Sequence, residues 1–177
     1  MKRILLAGLV GLSALTAACT GTAGNPTPGP TTANSTPPSD SNASDLKSMK
    51  PCELLTDSEA AGFGIELPGE PMKIGAGDTC DWKIPGKGGL SAGIYASTGV
   101  KDLNLQGEKV SETKVGKYSA TKVEAQDGSK DSCTVVIAAS DASAVAVLGT
   151  AAIASGDTAL ACERAGKAAE LIAAKLP

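Results

Sequence analysis

Chemistry in this sequence concentrates in its cysteines, of which there are five, against no histidine at all in 177 residues. Cys19 closes the run Leu15-Thr16-Ala17-Ala18-Cys19. Two small residues before a thiol are what a lipoprotein signal peptidase cuts, leaving the cysteine as the first residue and the carrier of the lipid. Thr16 stands where the usual motif has leucine, with Leu15 one step further out. Lys2 and Arg3 supply the charged start of a secretory signal, and Ile4 to Ala14 the apolar middle. That run is too short for a mature membrane span, which needs about 20 residues. These residues predict a signal over 1–18 and a mature chain anchored to the cell membrane, outside the cytoplasm, by a lipid on Cys19. Such an anchor buries tens of methylenes at roughly 0.8 kcal/mol each, enough for stable attachment.

Cys52, Cys80, Cys133 and Cys162 remain. An even number in an exported domain reads as two disulfides, with three pairings open. Joining sequence neighbours, Cys52 to Cys80 and Cys133 to Cys162, closes the shorter loops and is the preferred arrangement. A four-cysteine zinc site would need cysteines close in sequence, as in a C-x-x-C pair, and there are none. The expectation is no metal and no cofactor.

Other motifs lack the context their chemistry requires. Gly89-Leu90-Ser91-Ala92-Gly93 matches a hydrolase elbow, but that elbow needs a helix after the serine and a histidine base. Ile94-Tyr95-Ala96 reads as strand instead. Ser44-Asp45-Leu46-Lys47 and Ser111-Glu112-Thr113-Lys114 match S-x-x-K, yet neither serine opens a buried helix and no K-T-G triplet follows. Asp127-Gly128-Ser129-Lys130-Asp131 lacks the spacing and closing glutamate of a calcium loop. Gly75-Ala76-Gly77 opens no helix that could hold a phosphate. Trp82, two residues after Cys80, suits the core better than a ligand platform. No catalytic residue is expected, and the chain does not read as an enzyme.

The elements behind these residues divide the mature chain in two. Residues 19–45 are rich in Thr, Pro, Gly, Ser and Asn and cannot bury enough surface to fold, so they read as a flexible tether. Residues 46–177 read as one folded domain. Thr56-Asp57-Ser58-Glu59 is a capping box that starts a short helix, ending by Gly62 or Gly64. Gly69 to Asp78 is loop-like. Strands are expected at Thr79 to Ile84, Leu90 to Ser97, Lys109 to Val115, Tyr118 to Ala125 and Ser132 to Ala139, with a hairpin at Asp127-Gly128. Ala144 to Gly149 is alanine-rich and reads as a strand, with a helix as the alternative. Cys80, Trp82 and Ile84 share one strand face. A long final helix follows a cap at Asp157 or Thr158, with Cys162, Ala165, Ala169, Ile172 and Leu176 as its apolar stripe. The fold is α+β: an antiparallel sheet with a short N-terminal helix and a long C-terminal helix on one face, and two disulfides.

The ordered set Pro51-Cys52-x-Leu54-Leu55, Cys80-x-Trp82, Cys133 in a late strand and Cys162 opening an alanine-rich final helix resembles a known family. Together with the N-terminal cysteine and the Thr/Pro tether, it is similar to the small actinobacterial lipoproteins grouped as domain of unknown function 3558. The resemblance implies an exported, membrane-anchored domain and brings no reaction with it.

Charge and composition narrow the partners. Without Lys2 and Arg3, 14 basic side chains face 19 acidic ones, a net charge of −5, which argues against nucleic acid. Phe63, Trp82, Tyr95 and Tyr118 are the only aromatics, too few for both a core and a carbohydrate platform. The expected function is a non-catalytic binding or interaction module on the cell envelope, with an envelope protein or wall component as partner. The alternative is a carrier of a small apolar or lipidic ligand held between the sheet and the C-terminal helix.

Overall fold

The computed structural model describes residues 41–177, with side chains from Asp45 onward. Seven strands form one antiparallel sheet in the order β1-β2-β3-β7-β6-β5-β4. They are β1 (Glu70–Ile74), β2 (Gly77–Ile84), β3 (Gly88–Tyr95), β4 (Gly107–Val115), β5 (Tyr118–Gln126), β6 (Ser132–Ser140) and β7 (Ser143–Thr150). Among the described residues three α-helices accompany them: α1 (Ser41–Ser48), α2 (Asp57–Phe63) and α3 (Thr158–Ala173). The α+β class, the short helix after Thr56 and the long C-terminal helix on the sheet are as the sequence predicts.

Two expectations about where elements begin need correction. The stretch Gly69 to Asp78 is not a loop: Glu70 to Ile74 form edge strand β1, paired with β2 from Glu70 opposite Asp81 to Ile74 opposite Gly77. All five of its residues are exposed, so no buried alternation marks it, and Pro71 reads as a breaker although edge strands tolerate proline. Regular structure also starts before Leu46. Helix α1 begins at Ser41, inside the stretch read as tether. Leu46 is fully buried on it, and a single leucine creates no periodicity to read.

Helix α3 lies on β7 and β6. Alternation puts Cys133, Val135 and Ile137 of β6 and Val145, Val147 and Gly149 of β7 on the face it covers. Its buried residues are Ala161, Ala165, Ala168, Ala169, Ile172 and Ala173, and Leu176 is buried just beyond its end. Cys162 flanks this stripe and is half-buried, where the sequence places it on the stripe itself. The small side chains let the backbones approach closely: a Cβ on Gly149 would sit 2.3 Å from the Ala161 carbonyl oxygen. The Tyr118 hydroxyl, 3.0 Å from the Leu176 carbonyl and 2.5 Å from a Pro177 oxygen, fastens the residues after α3 to β5.

The opposite face is partly covered as well. Val123 and Val136 point away from α3 by alternation and are fully buried. The connection from β3 to β4 starts with Gly99 against the Asp141 carbonyl in the β6–β7 turn. It ends where the Gln106 carbonyl accepts the Asp127 amide at 3.2 Å. It therefore runs the length of β5 and β6, with Val100, Leu103 and Leu105 half-buried along it.

Candidate functional site

Helices α2 and α3 face one another across a surface groove of about 590 Å³. Each wall is set by local sequence. On the first, Thr56 caps α2: its hydroxyl accepts the Glu59 amide at 3.3 Å while the Glu59 carboxylate accepts the Thr56 amide at 2.7 Å. The helix stops at Gly64, whose φ of +71° is the left-handed region that glycine enters without cost. This exposes Ser58, Glu59, Gly62 and Phe63 to the groove. On the second wall, Asp157 caps α3 by accepting the Leu160 amide at 2.9 Å. Leu160, Arg164, Lys167 and Leu171 then recur at spacings of four, three and four, a stripe distinct from the one on the sheet. Phe63, Leu160 and Leu171 are half-buried and form an apolar floor.

The charges along the rim are mostly committed. Arg164 Nη1 donates to the carbonyls of Lys87 and Thr150, each at 2.5 Å, tying α3 to the sheet. Lys167 pairs with Glu163 at 2.6 Å, an exposed i,i+4 pair that contributes little to stability. Glu170 has no ion-pair partner among the described residues.

One end of the groove is clamped. Lys175, just past α3, donates to the Leu54 carbonyl at 2.8 Å and to the Glu59 carboxylate. Glu59 thus caps α2 and holds α3 at once. The Lys175 ammonium holds its carboxyl below the usual range, assisted by the Thr56 amide and hydroxyl and opposed by partial burial. A carboxylate with a depressed folded pKa stabilises fully above its unfolded value and loses that contribution as pH falls through the folded one. Stability should therefore fall as pH drops below about 4.3, the unfolded glutamate value. Glu59→Gln should flatten this limb of the stability-versus-pH curve in chemical denaturation. An unchanged acid limb would show that the clamp carries no linkage.

A recess of similar volume, about 590 Å³, lies at one end of β4 and β5. Its apolar side chains are Val100, Ala120 and Ala138, each smaller than Phe63, Leu160 and Leu171 of the groove. The α2–α3 groove is the better-built site.

The residues singled out in the sequence are placed as follows. Cys19 lies outside the described residues. Cys52 is bonded to Cys80 and Cys133 to Cys162, with Cα separations of 5.0 and 4.8 Å, within the usual bridge range. Trp82 is buried, and a Cβ on Gly69 would lie 2.3 Å from its Nε1 and 2.5 Å from Cys80 Sγ, so the indole packs beside the first bridge. Ser91 sits inside β3 and donates to Asp81 at 2.6 Å, with no elbow around it. Ser44 and Lys47 fall on α1, and Ser111 and Lys114 on β4. Among the described residues, no three His, Cys, Asp or Glu side chains converge as a metal site. The groove itself goes unread in the sequence. Its one signal is that Leu160 and Leu171, off the main stripe, are three helical turns apart.

These features define a small disulfide-bonded α+β domain in which one long helix is held to an antiparallel sheet by its own bridge. The chain belongs to the family described as "Protein of unknown function (DUF3558)", which matches residues 14–175. No curated protein and no solved structure matches it.

Proposed function

We propose that this chain is an exported lipoprotein that holds a non-catalytic binding domain at the cell membrane and takes its partner in the α2–α3 groove. The observation that carries this reading is the pair of bridges, Cys52–Cys80 and Cys133–Cys162. Such bonds persist where thiols are oxidised, which outside a few exceptional organisms means beyond the cytoplasm. The run ending at Cys19 supplies the attachment. The groove's apolar floor with an already paired rim suits apolar side chains of an envelope protein or wall component, and no nucleophile–base pair lines it. A small lipidic ligand between sheet and α3 has less room, because backbone meets backbone at Gly149.

The test uses the full chain in its own membrane. Cys19→Ala should remove the acyl mass from the mature protein and release it to the soluble fraction. Leu171→Lys should leave the anchor intact and abolish co-purification of the partner seen with the parent chain. A mature parent chain without acyl mass would overturn the location. A partner retained by Leu171→Lys would overturn the groove.

A further inference from the structure

The sheet has two edges, and they differ. Strand β1 has five residues and lacks an amide at Pro71, so it makes a poor template. Strand β4 has nine residues, no proline, and is exposed along nearly all its length. A two-residue turn, Gly116-Lys117, joins it to β5, with Val115 opposite Tyr118. Such a turn is closed by a hydrogen-bonded pair. By alternation, Thr113, Ser111 and Lys109 also bond β5, and the amides and carbonyls of Glu108, Val110, Glu112 and Lys114 face outward.

We propose that β4 pairs with β4 of a second copy of this chain, antiparallel, about a two-fold axis at Ser111. This joins the two sheets into one and needs neither the groove nor the anchor. The partner is set by charge and register. Glu108 and Lys114 lie three residues on either side of Ser111. In this register each Glu108 opposes Lys114 of the other copy, and the whole strand pairs, Gly107 opposite Val115. Neither Glu108 nor Lys114 has an ion-pair partner among the described residues of its own chain. Opposed residues must point to the same side of the sheet, so the register can slip only in steps that alter each pairing by two. One step sets Glu108 against Glu112, and the other sets Glu112 against its own copy; both place like charges opposite one another, which is unfavourable. Charges on an edge usually prevent pairing. Here they oppose the adjacent registers and favour one. Val110, 49% exposed on the face away from α3, would then be covered by the stem of Glu112 from the second copy.

The experiment is cysteine cross-linking of the full chain in its membrane. Ser111→Cys, opposite its own copy, should give a covalent dimer on mild oxidation. Ser119→Cys, exposed on β5, should not. Adding Lys114→Glu to Ser111→Cys should weaken dimerisation by roughly tenfold, as two attractive pairs become repulsive. The further change Glu108→Lys should restore it, which also shows that the charge variants fold. Cross-linking at Ser111→Cys no greater than at Ser119→Cys, or cross-linking indifferent to both charge changes, would overturn the proposal.

Discussion

Replacing Cys133 and Cys162 together by alanine should lower the stability of the domain by about 3–4 kcal/mol and loosen α3 before any other element. The bridge closes a sequence separation of 29 residues, and the chain-entropy estimate for such a loop gives that magnitude. The order of loosening follows from what else holds the helix. Its buried face is mostly alanine, and each alanine contributes less burial than a leucine or isoleucine would. Beyond that face, α3 and its C-terminal extension rely on Arg164, on Lys175 reaching Glu59 and Leu54, and on Tyr118 beyond the helix end. Denaturant unfolding gives the loss. Amide exchange resolved along the chain gives the order, with α3 amides losing protection while β2 and β3 keep theirs. Equal loss across the sheet and α3 would show that the bridge stabilises the fold as a whole and does not dock one helix.

Gly149→Ala should cost about 3 kcal/mol, near the upper end for overpacking. The added Cβ would sit 2.3 Å from the Ala161 carbonyl oxygen and 2.8 Å from the Ala165 amide nitrogen. Both are helix backbone, so no side-chain rotation relieves the overlap, and α3 must move off β7. Gly166→Ala is the opposing control. A Cβ at that position would meet nothing within 4 Å, and it sits inside α3, where alanine is favoured over glycine by about 1 kcal/mol. One glycine should lower the melting temperature when replaced and the other raise it. A Gly149→Ala variant as stable as the parent would mean that the helix does not rest on the sheet at this point.

Most of the sheet was legible in the sequence because its buried strands alternate or run apolar, as β6 does from Cys133 to Ala139. The capping box at Thr56 and the cap at Asp157 gave two helix starts for the same kind of reason, since each is a local hydrogen bond between residues three apart. The bridge pairing was legible because each cysteine lies on an element whose neighbours in space are close in sequence. What escaped had no local signal. Strand β1 is held by backbone pairing to β2 and buries no residue of its own. Helix α1 depends on Leu46 reaching a core built by residues far along the chain. The groove arises from the placement of α2 beside α3, joined by a contact between Glu59 and Lys175 that no spacing rule anticipates.

The two bridges also bear on the order in which the chain can be made. They are sequential, neither enclosing nor crossing the other: Cys52 meets Cys80 before Cys133 is reached, and Cys133 meets Cys162 afterwards. If the chain is exported as proposed, threaded through a membrane from its N-terminus, it presents these thiols in that sequence. The first pair can oxidise while the second is still inside, and once the Cys19 thiol is taken up by lipid, Cys52 and Cys80 are the first two free thiols to emerge and are already native partners. Crossed or nested pairings would instead offer a wrong partner first and require later exchange. Under the proposed export, an oxidising catalyst without isomerase activity would suffice for these two bridges.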